Sequence, residues 1–109
     1  MNKIIKFFNR EQNILIHIIA AIFVTIAGIL FKIDLYEWLL VYSMIAFVIT
    51  SELLNSAIEL TVDTYTKKFN PLAMVAKDVA AGAVVISAIT ALCVGLYVFL
   101  PKILELIFW

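Results

Sequence analysis

From Val79 to Leu100 the chain carries no Asp, Glu, Lys, Arg or His. A helix over such a run has no polar face to give to water, and about 20 apolar residues are what a helix needs to cross a bilayer. Two further runs share this character. Ile14 to Phe31 is interrupted only by His17, Thr25 and Gly28, and the segment from Leu35 stays apolar through Trp38–Ile49 before continuing at helical spacing into SELLNSAIELTVD. The 109 residues are 65% hydrophobic and 15% charged, with a mean hydropathy of +1.11, whereas soluble chains run near 45–50% apolar and about 25% charged. The reading is an all-α integral membrane protein with one membrane-embedded unit over 1–109. It comprises an interfacial segment at 1–11 and membrane helices at about 12–32, 35–63 and 72–101.

The remaining features fit that frame. Lys3 and Lys6 alternate with Ile4, Ile5, Phe7 and Phe8, a short amphipathic piece suited to the membrane surface. No cleavage site follows the first apolar run, so it is read as a retained helix and not a signal peptide. The formal net charge is zero, which gives nothing to attract nucleic acid. A single cysteine, Cys93, excludes an internal disulfide and a cysteine-rich zinc site, and is expected to be a packed small side chain. Pro71 is placed to open the third helix. Ala83, Ser87, Ala91 and Gly95 form a small-residue stripe allowing close helix packing. Lys3, Lys6 and Arg10 precede the first helix, and Lys67, Lys68 and Lys77 surround the second connection, while the first connection has Lys32 against Asp34 and Glu37. The positive-inside rule then puts the N-terminus and second connection in the cytoplasm. Tyr36, Trp38 and Trp109 are expected in an outer aromatic belt.

Against this background the stretch Ser51–Asp63 is anomalous, because Glu52, Asn55, Glu59 and Asp63 lie on an otherwise greasy helix. With Trp38 at the outer interface, Glu52 lies about 21 Å inward, Glu59 about 32 Å and Asp63 about 38 Å, at 1.5 Å per residue. The hydrocarbon core is about 30 Å thick. Glu52 is therefore inside the cytoplasmic leaflet, Glu59 at its boundary and Asp63 in water. At 3.6 residues per turn, Glu52, Asn55, Ser56, Glu59 and Asp63 share an arc of about 100°, with Leu53, Leu54, Ile58 and Val62 largely off it. A bare carboxylate facing lipid costs several kcal/mol, so the stripe must face protein, water or a bound ion. Three thin helices are not expected to cover it alone, which calls for an oligomer.

Other ionisable residues meet the stripe at the same level. Glu11 precedes the first helix, and Lys77–Asp78 precede the uncharged run of the third. For Asp63, Lys67 and Lys68, ordinary interfacial charges are an equally good account. For Glu52 that account fails on depth, and for Glu59 with Glu11 it leaves converging like charges without a cation. Carboxylates with an amide suit a hard cation such as Mg²⁺, and Mg²⁺ with a lysine is the usual apparatus for nucleotide phosphates. A carboxylate in a drier site has its ionised form disfavoured and is placed to serve as general base toward a lipid hydroxyl. The chemistry indicated is a membrane-surface site where a metal-bound soluble substrate meets a lipid.

The residues Glu52, Asn55, Ala57, Ile58, Glu59, Val62 and Asp63, read as ExxNxAIExxVD, resemble the signature of the small prokaryotic diacylglycerol kinases. AKDVAAGAV, Ala76 to Val84, is similar to the second motif of that family, and EQNILIH, Glu11 to His17, to the segment ahead of its first membrane helix. The Pro-Leu-Ala before Lys77, His17 and the AAGAV run look most like the Gram-positive branch that phosphorylates undecaprenol. The resemblance implies a homotrimer of three-helix subunits in the bacterial cytoplasmic membrane, with sites shared between subunits. It also implies ATP-dependent phosphorylation of a lipid alcohol, undecaprenol before diacylglycerol. Residue by residue, it implies Glu52 as base, Glu11 and Glu59 as Mg²⁺ ligands, and nucleotide contacts from these two acids with Lys68, Phe69, Asn70, Lys77 and Asp78. Asn55, Ile14 and His17 are implied as supporting or substrate-facing residues; for His17, a bond to a neighbouring helix is the simpler role and a contact to the lipid headgroup the sharper one.

The chain departs from the family pattern at several points. The amphipathic segment before Lys3 is shorter, Lys3 stands where glycine is common, Leu15 where arginine is common, and Lys68 and Asn70 differ from the usual loop residues. A non-catalytic membrane protein keeping the kinase fold is the alternative reading. An ion-conducting oligomer is a third, and weaker because the acids cluster at one membrane face.

Overall fold

The computed structural model describes residues 3, 5, 12–66 and 68–108. Among them the chain forms three long helices, α1 (Gln12–Phe31), α2 (Leu35–Tyr65) and α3 (Pro71–Phe108). All three are long and apolar enough to cross a membrane. The interfacial segment expected at 1–11 lies outside the described residues except for Lys3 and Ile5.

The helix ends have local causes. α1 stops in a Schellman turn, in which Lys32 takes a left-handed φ of 53°. The Lys32 N–H donates to the Ile29 carbonyl at 3.3 Å and the Ile33 N–H to the Gly28 carbonyl at 3.1 Å, satisfying carbonyls that the helix end would leave unpaired. α2 opens with a reciprocal capping box. The Glu37 N–H donates to Asp34 Oδ1 at 2.8 Å, and the Asp34 N–H donates to Glu37 Oε1 at 3.1 Å. The DLYE sequence carries this signal in its spacing. α3 opens at Pro71, where a missing N–H costs nothing, and Asn70 Oδ1 accepts from the Leu72 and Ala73 N–H groups at 2.9 and 3.3 Å.

α3 continues through Pro101 to Phe108, beyond the span of about 72–101 read from hydropathy. Pro101 removes one backbone donor, but Lys102 anchors the following turn, donating from Nζ to Glu37 Oε2 at 2.6 Å and to the Val98 carbonyl at 3.2 Å. At the other end of the same two helices, Lys77 Nζ meets Asp63 Oδ1 at 2.5 Å. The two pairs set one antiparallel register between α2 and α3, shifted by a single residue from end to end. In that register buried Val41 lies level with buried Val98, and Glu52 level with Ser87.

α1 packs against α2 more sparingly. Thr25 Oγ1 and the Tyr42 hydroxyl lie 3.0 Å apart, and the Trp38 ring covers Gly28 so closely that a Cβ there would sit 2.5 Å from Trp38 Cη2. Trp38 also stacks on Tyr42, with centroids 5.6 Å apart, so it packs inward and does not serve simply as a belt residue; Tyr36 is exposed. α1 meets α3 through an edge-on contact of Phe31 with Phe99. The hydrophobic core, built on Ile33, Val41 and Val98 with Phe31, Trp38 and Phe99 around it, occupies the end carrying Glu37 and Lys102. Towards the middle it gives way to an apolar cavity of about 160 Å³ with His17, Val41, Met44, Ala91 and Gly95 in its walls. Ala91 and Gly95, read as packing residues, thus leave space, and Ala83 is exposed. Cys93 is also exposed and not packed as expected, because its position on α3 lies off the face that buries Ala80, Ser87 and Val98.

Candidate active site

The polar stripe on α2 points into the bundle. Glu52 is 5% exposed and Ser56 1%, while Leu53, Leu54 and Ile58 are exposed, which is the angular division that helical spacing requires. A single chain therefore covers Glu52 and Ser56 but leaves Asn55 half-buried and the outer part of the stripe open, so three helices cover the stripe only in part. Glu59 is half-buried, and Asp63, one turn further, is exposed.

Burying a carboxylate without a partner costs several kcal/mol. For Glu52 the partner comes from α1, with His17 Nε2 lying 3.3 Å from Oε1. The imidazole is 28% exposed as a side chain and lines the apolar cavity, so the buried acid sits next to that cavity's polar end. Ile14, one turn before His17 on α1, is almost wholly buried. Ser87 on α3 is fully buried, its hydroxyl donating to the Val84 carbonyl at 2.8 Å.

Asn55 extends the site outward. Its Nδ2 donates to Glu59 Oε1 at 3.3 Å, and its Oδ1 is left buried without a described hydrogen-bond partner, as is Ser56 Oγ. Asn55 also lines an open groove between α2 and α3 together with Ser51, Ala76 and Ala83. The donor set of Glu59 with a free amide oxygen is all oxygen and suits a hard cation. The described residues contain no group of three or more His, Cys, Asp or Glu able to form a cage. That is compatible with Mg²⁺, which is commonly held by one or two carboxylates together with substrate phosphates. Glu11, the other acid assigned to this role, lies outside the described residues.

Of the remaining nucleotide candidates, Lys77 is engaged with Asp63 at the open end of the site. Lys68, Phe69 and Asp78 are exposed. Asn70 is exposed as well, with its side-chain oxygen occupied in capping α3. The structure thus brings together His17, Glu52, Asn55 and Glu59, with Asp63 and Lys77 a turn or more away. Sequence reasoning placed the acids on one face but did not pair His17 with Glu52 or Lys77 with Asp63, since neither pairing leaves a spacing signal within one helix. Ser87 was read only as a packing residue; its place in the uncharged run was the one available hint.

Comparison with known proteins gives this arrangement its context. The sequence profile described as prokaryotic diacylglycerol kinase matches residues 1–99. The undecaprenol kinase of Bacillus subtilis is 45% identical over 93 residues, covering 85% of this chain and 76% of that protein. The diacylglycerol kinase of Synechocystis is 36% identical over 100 residues, covering 91% of this chain and 57% of that protein. No solved structure matches the chain. Matched by that profile over nearly its whole length, the chain belongs to the prokaryotic diacylglycerol kinase family of membrane lipid kinases.

Proposed function

We propose that the protein transfers the γ-phosphoryl group of ATP, with Mg²⁺, to the hydroxyl of a membrane lipid alcohol, undecaprenol in preference to diacylglycerol. The observation that carries this reading is Glu52, buried at 5% exposure on a membrane helix and set beside the polar end of an apolar cavity. A lipid alcohol is the substrate whose hydroxyl can approach such a carboxylate while its chain stays in an apolar setting. Glu52 accepts the hydroxyl proton as the lipid oxygen bonds to the γ-phosphorus, and the bond to the departing ADP oxygen breaks. Glu59, Asn55 and Glu11 hold the metal end of the nucleotide, and the ion when bound offsets phosphate charge. Lys77, Asp78, Lys68, Phe69 and Asn70 flank the phosphates and base; Lys77 exchanges Asp63 for phosphate when nucleotide binds.

The preference for undecaprenol rests on the higher identity to the kinase named for that lipid. The working form is a homotrimer in the bacterial cytoplasmic membrane, with the N-terminus and the loop around Lys68 inside the cell, as the basic residues require. The non-catalytic alternative is set aside, since the chain belongs to a lipid kinase family and keeps Glu52, Asn55, Glu59 and the Lys77–Asp78 pair. The deciding experiment incubates purified protein with ATP, Mg²⁺ and each lipid alcohol in turn. Phosphorylated undecaprenol should form faster than phosphatidic acid; no transfer to either acceptor rejects the reading, and faster transfer to diacylglycerol reverses the preference.

A further inference from the structure

We propose that His17 is a positioning residue for Glu52: its Nε2–H donates to Glu52 Oε1 across the α1–α2 interface and holds the carboxylate in the orientation from which it takes the acceptor's proton. The inference rests on the reading of Glu52 as the base.

A glutamate side chain has three rotatable bonds, and a base must hold its oxygen within hydrogen-bond reach of the hydroxyl. Glu52 has few means of being held. Asn55, on the same helix, gives its amide to Glu59, and Ser56 Oγ is buried without a hydrogen-bond partner among the described residues. From α3 the residue level with Glu52 is Ser87, whose hydroxyl is committed to the Val84 carbonyl. Between Asp78 and Lys102 the ionisable side chains of α3 are Cys93 and Tyr97, both exposed, and Lys77 is taken by Asp63. His17 is the polar side chain described within reach, at 3.3 Å.

The geometry suits positioning better than proton transfer. The imidazole lies 3.3 Å from Oε1, and the hydroxyl proton is assigned to Oε2. As an Nε2–H donor, the imidazole orients the carboxylate and keeps its own proton. The separation of 3.3 Å is longer than the about 2.7–2.9 Å of a charge-assisted bond. In the reaction the hydroxyl proton goes to Oε2, the lipid oxygen bonds to phosphorus, ADP leaves with the electron pair, and His17 keeps its proton throughout.

The chain has a single histidine, so ¹⁵N-imidazole labelling reports His17 alone. The assembled protein should show the Nε2-protonated tautomer, and Glu52→Gln should move the Nε2 resonance. In turnover assays His17→Leu should lower kcat by about tenfold to a hundredfold, the scale of a misplaced catalytic group, with KM for ATP unchanged. His17→Gln, which keeps an N–H donor, should regain most of the loss. In a Glu52→Gln background His17→Leu should have little further effect, because the group it positions is gone. An Nε2 resonance that ignores Glu52→Gln overturns the proposal, as does a fully active His17→Leu or a pair of substitutions whose losses multiply. A Glu52→Gln protein that turns over normally removes the base assignment itself, whereas an inactive Glu52→Gln beside a fully active His17→Leu removes only the role of His17. If His17→Leu does not assemble, the comparison of the parent and Glu52→Gln spectra decides.

Discussion

Glu52 and Glu59 lie two helical turns apart on one face of α2, yet their surroundings differ. Glu52 is buried against an imidazole, while Glu59 is half-buried with an amide on one oxygen. A dry, enclosed carboxylate suits proton abstraction, and an accessible one beside a free carbonyl oxygen suits a cation. The two substitutions to glutamine should therefore fail differently. Glu52→Gln should reduce turnover by roughly 10²-fold or more, the scale of a lost general base, with KM for ATP and melting temperature near the parent's. Glu59→Gln should raise the Mg²⁺ concentration needed for ATP binding while the protein stays assembled. Turnover, Mg²⁺ titration and melting on the same preparations test this; normal turnover in assembled Glu52→Gln, or an unmoved Mg²⁺ titration in Glu59→Gln, removes the corresponding role.

Between helices, small local features set how closely α1 approaches α2 and how the chain turns from one to the other. Gly28 matters because the Trp38 ring occupies the space a Cβ would need. Gly28→Ala must push the ring off its stack with Tyr42, and overpacking of this kind costs about 1–3 kcal/mol. A drop in melting temperature in detergent is expected, and an unchanged melt would show that the contact yields freely. The turn that follows has the opposite defect. Lys32 holds a left-handed φ, which costs an L-residue about 1–2 kcal/mol. Glycine relieves that strain and returns part of the gain as extra freedom in the unfolded chain. Lys32→Gly should raise the melting temperature; a lower one would mean that the lysine side chain contributes more than its backbone costs.

For the whole molecule, two ion pairs stand at opposite ends of the α2–α3 pair, Lys77–Asp63 and Lys102–Glu37. The stretch of α3 between the two lysines rises about 38 Å at 1.5 Å per residue, enough to cross a hydrocarbon core of about 30 Å with both charges near its edges. Orientation then follows from which end meets the cytoplasm. In a Cys93→Ala background, a membrane-impermeant thiol reagent applied to intact cells should label Lys32→Cys and spare Lys68→Cys. The reverse pattern would put the nucleotide site outside the cell and reject its assignment. Because one chain already encloses Glu52 and Ser56, a trimer is not needed to bury them. Its role would be to complete the open side of the site at Asn55 and Glu59. Mass measurement in nanodiscs should return a trimer, and a monomer at working concentration would reject it.

What the sequence by itself determined is everything that periodicity and length can carry. Three apolar runs dictated three membrane-length helices, and the spacing from Glu52 to Asp63 placed the polar groups on one face with Leu53, Leu54 and Ile58 off it. Pro71 marked the start of α3, whereas the Asp34–Glu37 capping box and the Asn70 cap came to light only in the structure. The tertiary structure alone decided which partner each face meets. It set His17 against Glu52 and Lys77 against Asp63, turned Trp38 inward over Gly28, left Cys93 exposed, and opened a cavity where Ala91 and Gly95 were read as close packing. The reason is geometric: a repeat of 3.6 residues fixes angles around one helix axis, but carries nothing about how that axis is rotated and slid against its neighbours. Those two degrees of freedom are settled by side-chain packing between helices, and the site is made of residues that meet only once they are settled.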